Sequence, residues 1–157
     1  MQLGKTLLLA SFMVACAESP RTQEGSQFKL QLERGPCFGN CPRYILSVDS
    51  NGDVTYEEGS SSYPSGWQNR KEISRRDVNR LIESIEQSSF FTVDDPTCEF
   101  MIDDETSFWL EITYQRRHRR VFRHLGCGPD GSDSVVELAD FVDEVVKTHQ
   151  LHRATIQ

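Results

Sequence analysis

The chain has 157 residues, a formal net charge of −7, and 37% hydrophobic and 26% charged residues. This length is enough for one domain that buries a sizeable hydrophobic core. The acidic balance argues against nucleic acid as the main partner, because nucleic-acid-binding proteins carry basic surfaces that neutralise phosphates.

The first fifteen residues have the layout of an export signal. Lys5 is their only charge, and the apolar run TLLLASFMVA follows it and leads to Cys16. The run is too short to cross a bilayer as a permanent helix, which needs about 20 residues. Residues 1–15 are therefore predicted to be a cleaved signal peptide.

The last four residues of this stretch, MVAC at 13–16, resemble the lipobox of bacterial lipoproteins. The resemblance implies acyl chains such as palmitate on Cys16, and two or more chains anchor a protein stably. Residues 16–25 are polar and contain Pro and Gly, which is typical of a tether. Ala17 after the cysteine implies the outer membrane, facing the periplasm or the surface. The alternative is a plain signal peptide without lipidation.

A single domain is predicted over residues 26–150, followed by a C-terminal tail at 151–157. Its first strand is indicated by FKLQL at 28–32, where apolar and polar residues alternate. A hairpin follows, because RYILSV (43–48) and VTYE (54–57) flank the sequence Asn-Gly, which favours a tight turn.

The middle of the domain contains a helix. The turn-rich segment 58–67 is predicted as a loop, and Gln68–Ile73 as a short edge strand. Ser74 is a suitable N-cap for SRRDVNRLIESIEQS (74–88), whose apolar residues recur at helical spacing. One face of this helix is expected to pack on the core.

The last third of the domain reads as a hairpin and a second helix. Alternation predicts a strand over 108–114, and the segment 119–125 is its expected partner. Ser134 and Glu137 form a capping-box pattern that opens a helix to about Thr148. The predicted fold is α+β, with the order βββ(β)αββα, about five antiparallel strands and two helices on one face.

Four cysteines follow Cys16, and an even number in an exported chain indicates disulfides. Three pairings are open, of which we favour Cys37–Cys41 with Cys98–Cys127. Two alternatives remain for the CFGNC segment at 37–41. One is a thiol-disulfide or other redox site, which arginines nearby would favour by lowering a thiol pKa. The other is a structural zinc site formed by Cys37, Cys41, His124 and Cys127.

Two charged segments are candidates for binding. The basic segment 116–124 offers contacts to anionic groups, and the acidic loop 94–106 holds many carboxylates but lacks the ordered spacing of a calcium loop. The basic segment is equally explained as a protected sheet edge. The candidate anion contacts are Arg116, Arg117, Arg119, Arg120 and Arg123.

The run C-F-G-N-C-P-R-Y at 37–44, followed by a hairpin with G-x-V-x-Y at 52–56, resembles a bacterial family of domains of unknown function. Its mark is a C-[FY]-G-x-C-P-x-Y signature. The resemblance implies an exported or lipid-anchored domain over about 26–150, and a later cysteine pair, here Cys98 and Cys127, recurs in some members. It implies no activity, cofactor or resident metal.

These patterns favour a non-catalytic binding or structural module of the bacterial cell envelope. No nucleophile motif such as G-x-S-x-G is present, and an enzymatic role is the less favoured alternative. The expected partners are the membrane, through the lipid on Cys16, and an unidentified envelope protein or polysaccharide. No cofactor and no nucleic acid are expected.

Overall fold

The computed structural model describes residues 27–37, 41–94, 105–127 and 133–152. They form six strands, two α-helices and a short 3₁₀ helix at Thr148–Gln150. The strands and helices are β1 (Lys29–Arg34), β2 (Tyr44–Asp49), β3 (Asp53–Gly59), β4 (Pro64–Glu72), α1 (Arg75–Gln87), β5 (Ser107–Tyr114), β6 (Arg117–His124) and α2 (Ser134–Val146).

The strands form one antiparallel sheet in the order β4-β3-β2-β1-β5-β6. β1 lies in the interior and pairs with both β2 and β5, so it joins the β2–β3–β4 meander to the β5–β6 hairpin. The α+β class with an antiparallel sheet is confirmed. The sheet has six strands, slightly more than the five expected from the sequence.

β4 is longer than the sequence predicts. It begins at Pro64, whereas the predicted short strand begins at Gln68. Gly59 has a φ of 110°, and the register shifts between Glu57 and Gly59. This bulge leads into a tight turn in which Ser60 and Tyr63 exchange backbone hydrogen bonds. The segment predicted as an open loop is therefore largely a hairpin.

The predicted turn between β2 and β3 is confirmed. Gly52 has a φ of 92°, and its N–H donates to the Asp49 carbonyl at 3.1 Å. The Asp49 carboxylate accepts from the backbone N–H of Asn51 and Asp53. A Cβ on Gly52 would also clash with the Ile73 carbonyl oxygen. Glycine is therefore required at this position for two reasons, its positive φ and this close contact.

Both helices pack on the same face of the sheet, where alternate residues of the strands are buried. Val78, Leu81 and Ile85 of α1 and Leu138 and Val142 of α2 belong to this core. The strand residues that contribute to it are Leu30, Leu32, Tyr44, Leu46, Val48, Val54, Tyr56, Phe108, Leu110, Ile112, Tyr114 and Val121.

The two helix starts differ in how well the sequence predicted them. Ser74 caps α1 as expected, with its side chain accepting from the Asp77 N–H. The capping residue of α2 is Asp133, not Ser134, because the Asp133 carboxylate accepts from the Val135 N–H at 2.8 Å. Ser134 instead donates to the Ser88 carbonyl at the end of α1, which links the two helices.

The turn between β5 and β6 contains avoidable strain. Gln115 and Arg116 have φ angles of 49° and 66°, a left-handed conformation that disfavours residues with a Cβ. The Arg116→Gly variant is expected to have a free energy of unfolding about 0.5–1 kcal/mol higher than that of wild type, because glycine relieves the strain. Urea denaturation measures the difference. Arg43→Gly, at another exposed arginine without a positive φ, is the control and is expected to be slightly destabilising. Equal effects of the two changes would contradict the strain argument.

Candidate functional site

The face of the sheet opposite the helices is covered by no described element, and we call it the open face. It consists of the outward side chains of all six strands. They are Lys29, Gln31, Glu33, Ile45, Ser47, Asp49, Asp53, Thr55, Glu57, Gln68, Arg70, Glu72, Ser107, Trp109, Glu111, Thr113, His118, Arg120, Phe122 and His124.

An exposed aromatic pair lies on the open face at the β5–β6 end. Trp109 and Phe122 are direct cross-strand partners, and their ring centres are 4.8 Å apart. They are 38% and 40% exposed, so both rings present surface to solvent. The guanidinium of Arg120 lies 4.3 Å from the Trp109 ring centre. Aromatic and arginine side chains in this arrangement are typical of binding hot spots.

Polar contacts hold the groups beside the aromatic pair in place. One oxygen of Glu33 accepts from the N–H and the hydroxyl of Ser61, at 2.9 and 2.8 Å. Arg120 lies between the carboxylates of Glu33 and Glu111, at 3.8 and 3.7 Å. The second Glu111 oxygen lies 2.8 Å from Nε2 of His118. The site is therefore ordered before any ligand arrives, which reduces the entropy lost on binding.

Two shallow depressions adjoin on the open face. One of about 160 Å³ lies against Trp109, Arg120 and Ser61. The other, of about 290 Å³, extends across β1, β2 and β3 toward Asp53. Both are lined by Gln31 and Glu111, so the two depressions adjoin at these side chains, and we call them together the groove.

The sequence interpretation did not single out this site. The available signal was Trp109, a large aromatic residue on the polar side of an alternating strand whose other side carries the buried residues. Phe122 is likewise a large aromatic residue on the polar side of β6. Glu33 and Ser61 gave none, because only the fold brings them together from positions 28 residues apart.

The predicted signature segment contributes to architecture on the other face of the sheet. Arg34 donates from Nε and Nη2 to Asp143 at 3.1 and 2.9 Å and also reaches Asp140 at 2.6 Å. The Tyr44 hydroxyl donates to the same Asp143 carboxylate at 2.6 Å. Burial raises the pKa of Tyr44, and the charge of Asp143 raises it further, so the hydroxyl keeps its proton. The residues flanking the cysteines thus bind α2.

Cys37 and Cys41 form a disulfide, with Cα atoms 5.7 Å apart. It closes the segment between β1 and β2, which carry Arg34 and Tyr44. Cys127 is also disulfide-bonded. Cys98 lies outside the described residues, so its pairing with Cys127 stays a prediction.

Serine at both Cys37 and Cys41 is expected to lower the free energy of unfolding by about 2 kcal/mol, because the unfolded chain gains freedom. Urea denaturation measures the change. A variant as stable as wild type would show that the bridge has no structural role, which would favour the redox alternative.

The zinc alternative does not fit the described residues. Cys37, Cys41 and Cys127 are in disulfides, and zinc binds thiolates rather than disulfide sulfurs. His124 Nδ1 instead accepts from the Gly126 N–H at 3.2 Å. Within the described ranges, no group of three or more His, Cys, Asp and Glu side chains is arranged to hold a metal.

The predicted anion contacts divide between two faces. Arg123 is only 3% exposed and pairs with Asp133, so its position does not fit a contact with an outside anion. Arg119 donates to the Val93 carbonyl, and the Arg117 guanidinium lies 4.3 Å from the Phe91 ring centre. Arg120 belongs to the open face. Arg116 is exposed at the turn.

His152 closes a second cluster on the helix-covered face. The Tyr56 hydroxyl and His152 Nδ1 are 2.5 Å apart, and the Tyr56 ring stacks on Tyr44. Burial raises the pKa of Tyr56 and lowers the pKa of His152 from 6.5. A neutral His152 whose Nδ1 accepts a hydrogen bond from the Tyr56 hydroxyl agrees with both shifts. This contact holds the end of the described chain against β3.

The lowered pKa of His152 predicts a pH-dependent stability. The unfolded chain binds a proton to this residue more readily, so stability is expected to fall as the pH drops through about 6.5. His152→Gln should flatten this part of a melting-temperature profile recorded between about pH 8 and pH 5. Asp143 and Glu58 raise the pKa of His152 and His149 lowers it, so the comparison variant His149→Gln should reduce the slope only in part. An unchanged slope in His152→Gln would contradict the assignment.

Several predictions lie outside the described residues. They are the signal peptide, lipidation of Cys16, the tether, most of the acidic loop and most of the C-terminal tail. None of the helices in the described ranges combines the length and hydropathy that a bilayer crossing requires.

Comparison with known proteins gives one result. The chain matches the family model described as Domain of unknown function (DUF6438) over residues 28–146. No curated protein shows a match to the chain. The match covers more than half of the 157 residues and extends from just before β1 to the last residue of α2. The expectation of a domain-of-unknown-function family is thus confirmed, and the chain belongs to the DUF6438 family.

Proposed function

We propose that this protein is a non-catalytic binding module of the bacterial cell envelope, anchored in the outer membrane by acyl chains on Cys16. The open face is its binding surface. The proposal is carried by the aromatic pair, Trp109 and Phe122, because two rings of this size are left exposed on the sheet face that does not carry the core. Such surface in a small domain is typical of an interaction site.

The anchoring part is supported by the lipobox-like sequence at 13–16 and by the polar segment that follows it. The chain between Cys16 and Lys29 spans at most about 3.6 Å per residue. The start of β1 therefore lies within about 45 Å of the bilayer. The partners expected from the sequence, an envelope protein or a polysaccharide, are within this reach.

Metabolic labelling with an alkyne palmitate analogue tests the anchor. Wild type should be labelled and sediment with membranes, whereas Cys16→Ser should be neither labelled nor membrane-bound. Labelling that persists in the variant, or an unlabelled wild type, would rule out the lipid anchor at Cys16.

A photocrosslinking amino acid tests the binding surface in cells. Placed at Thr113 on the open face, it should produce a defined cross-linked species. Placed at Glu83, an exposed residue of α1, it should not. Identical products from both positions, or none from Thr113, would contradict a binding role for the open face.

A further inference from the structure

The charge of the open face is unevenly distributed. We call the outward side chains of β2, β3 and β4 the acidic half, and those of β1, β5 and β6 the aromatic half. Arg70 is the only cationic residue among the outward side chains of the acidic half, which carries four carboxylates. In the aromatic half, Lys29 and Arg120 balance Glu33 and Glu111. The four carboxylates of the acidic half are Asp49, Asp53, Glu57 and Glu72.

Two of these carboxylates face each other directly. Asp53 and Glu72 are register partners on neighbouring strands, and both side chains are exposed. Like charges in this position destabilise a sheet. No hydrogen bond or ion pair joins either carboxylate to a cationic side chain of the described residues, and the same holds for Glu57. Arg70 and Lys29, the register partner of Asp49, offset only part of this charge, so the acidic half keeps an excess of negative charge.

The groove connects the two halves. Its larger depression reaches Asp49 and Asp53, and its smaller one ends at Trp109. A ligand in the groove would place one part against the aromatic pair and another against the carboxylates. Lys29 and Arg120 also line the groove, but its carboxylates outnumber them, so the groove favours a ligand that combines an apolar anchor with positive charge.

The size of the face limits the kind of partner. Six strands about 4.8 Å apart and about 20 Å long present a flat area of roughly 500 Å², a size typical of weak or transient interfaces. A chain crossing all six strands spans about 24 Å, the length of about seven extended residues. The face thus suits a peptide segment better than a whole folded surface.

We infer that the open face binds an extended, basic peptide segment of a partner protein, with an apolar side chain of that segment packed on Trp109 and Phe122. This inference rests on the proposed binding role of the face. An anionic polysaccharide or an anionic lipid surface is disfavoured, because the acidic half repels both. The carboxylates would accept hydrogen bonds from the hydroxyls of a neutral polysaccharide, but such a ligand leaves their negative charge unbalanced.

Fluorescence anisotropy on the full-length protein in a neutral detergent tests the inference. The probes are a labelled lysine-rich peptide with a central leucine, a glutamate-rich peptide of the same length, and a soluble peptidoglycan fragment. The lysine-rich peptide should bind best. Its affinity should fall steeply when salt rises from about 0.01 M to about 1 M, since the screening length shrinks from about 30 Å to about 3 Å.

Two variants locate the binding. The double variant Asp53→Asn, Glu72→Gln should bind the lysine-rich peptide about five- to tenfold more weakly, and Phe122→Ala should weaken it as well. The double variant is not expected to unfold, because it removes repulsion, and its melting temperature verifies this. The matched control, Glu83→Gln with Glu86→Gln on the exposed surface of α1, should bind as wild type does.

The outcomes separate the inference from the proposed function. Equal affinity of the double variant and its control, or preferred binding of the glutamate-rich or peptidoglycan probe, overturns the basic-peptide inference. If cross-linking from Thr113 still yields a partner in that case, the proposed function stands. If no cross-link forms and no probe binds, both are overturned.

Discussion

Asp143→Ala is expected to lower the free energy of unfolding by about 3 kcal/mol. The Arg34 side chain is only 12% exposed and directs two donors at this carboxylate, and the Tyr44 hydroxyl donates to it as well. Removing the shared acceptor leaves a cation and a hydroxyl largely shielded from water without their main partner. Urea denaturation monitored by tryptophan fluorescence measures the change.

Asp140→Ala is the matched control. Its carboxylate also contacts Arg34, at 2.6 Å, but the Asp140 side chain is 66% exposed. Exposed ion pairs contribute about 0–1 kcal/mol, so this change should have a small effect. If both variants lose the same stability, burial of the Arg34–Asp143 pair does not account for its role in holding α2.

The second large effect is expected at Asp133, which combines two roles. Its carboxylate caps α2 through the Val135 N–H, and it pairs with the buried Arg123 of β6. Asp133→Ala removes both contacts and should destabilise the domain by about 3 kcal/mol or more. Asp133→Asn retains a capping oxygen but not the charge, so it should be about 1 kcal/mol less harmful.

Glu137→Ala provides the comparison within the same helix. Glu137 is an exposed acidic residue in the first turn of α2, and its removal should change the free energy of unfolding by only about 0.5 kcal/mol. Thermal and urea denaturation of the three variants give the ranking. An Asp133→Asn protein as unstable as Asp133→Ala would mean that the cap contributes nothing and the charge everything.

Asp143 explains what the signature segment does in this fold. Arg34 and Tyr44 flank the disulfide-closed segment, and both bind Asp143. The Tyr56 hydroxyl forms a hydrogen bond with His152. The segment thus secures α2 and the end of the described chain to the sheet. A surface for partners is available on the opposite face, where the aromatic pair lies.

Local patterns were sufficient where one element decides its own structure. Alternation at 28–32 and 108–114, the Asn51-Gly52 turn and the Ser74 cap are properties of neighbouring residues, and the structure confirms them. The start of β4 and the Asp133 cap were missed. β4 depends on a bulge at Gly59, and Asp133 is selected over Ser134 by its pairing with Arg123, ten residues away.

The amino-acid sequence specifies the α+β class, the hairpins, both helices and the polar character of one strand face through residue periodicity and turn chemistry. It also carries the predicted export and lipidation signals. Which polar strand residues share a surface depends on the tertiary structure. Trp109 and Phe122 meet across two strands, and Asp53 and Glu72 across two others, because pairing registers are set by the packing of the whole sheet on its helices.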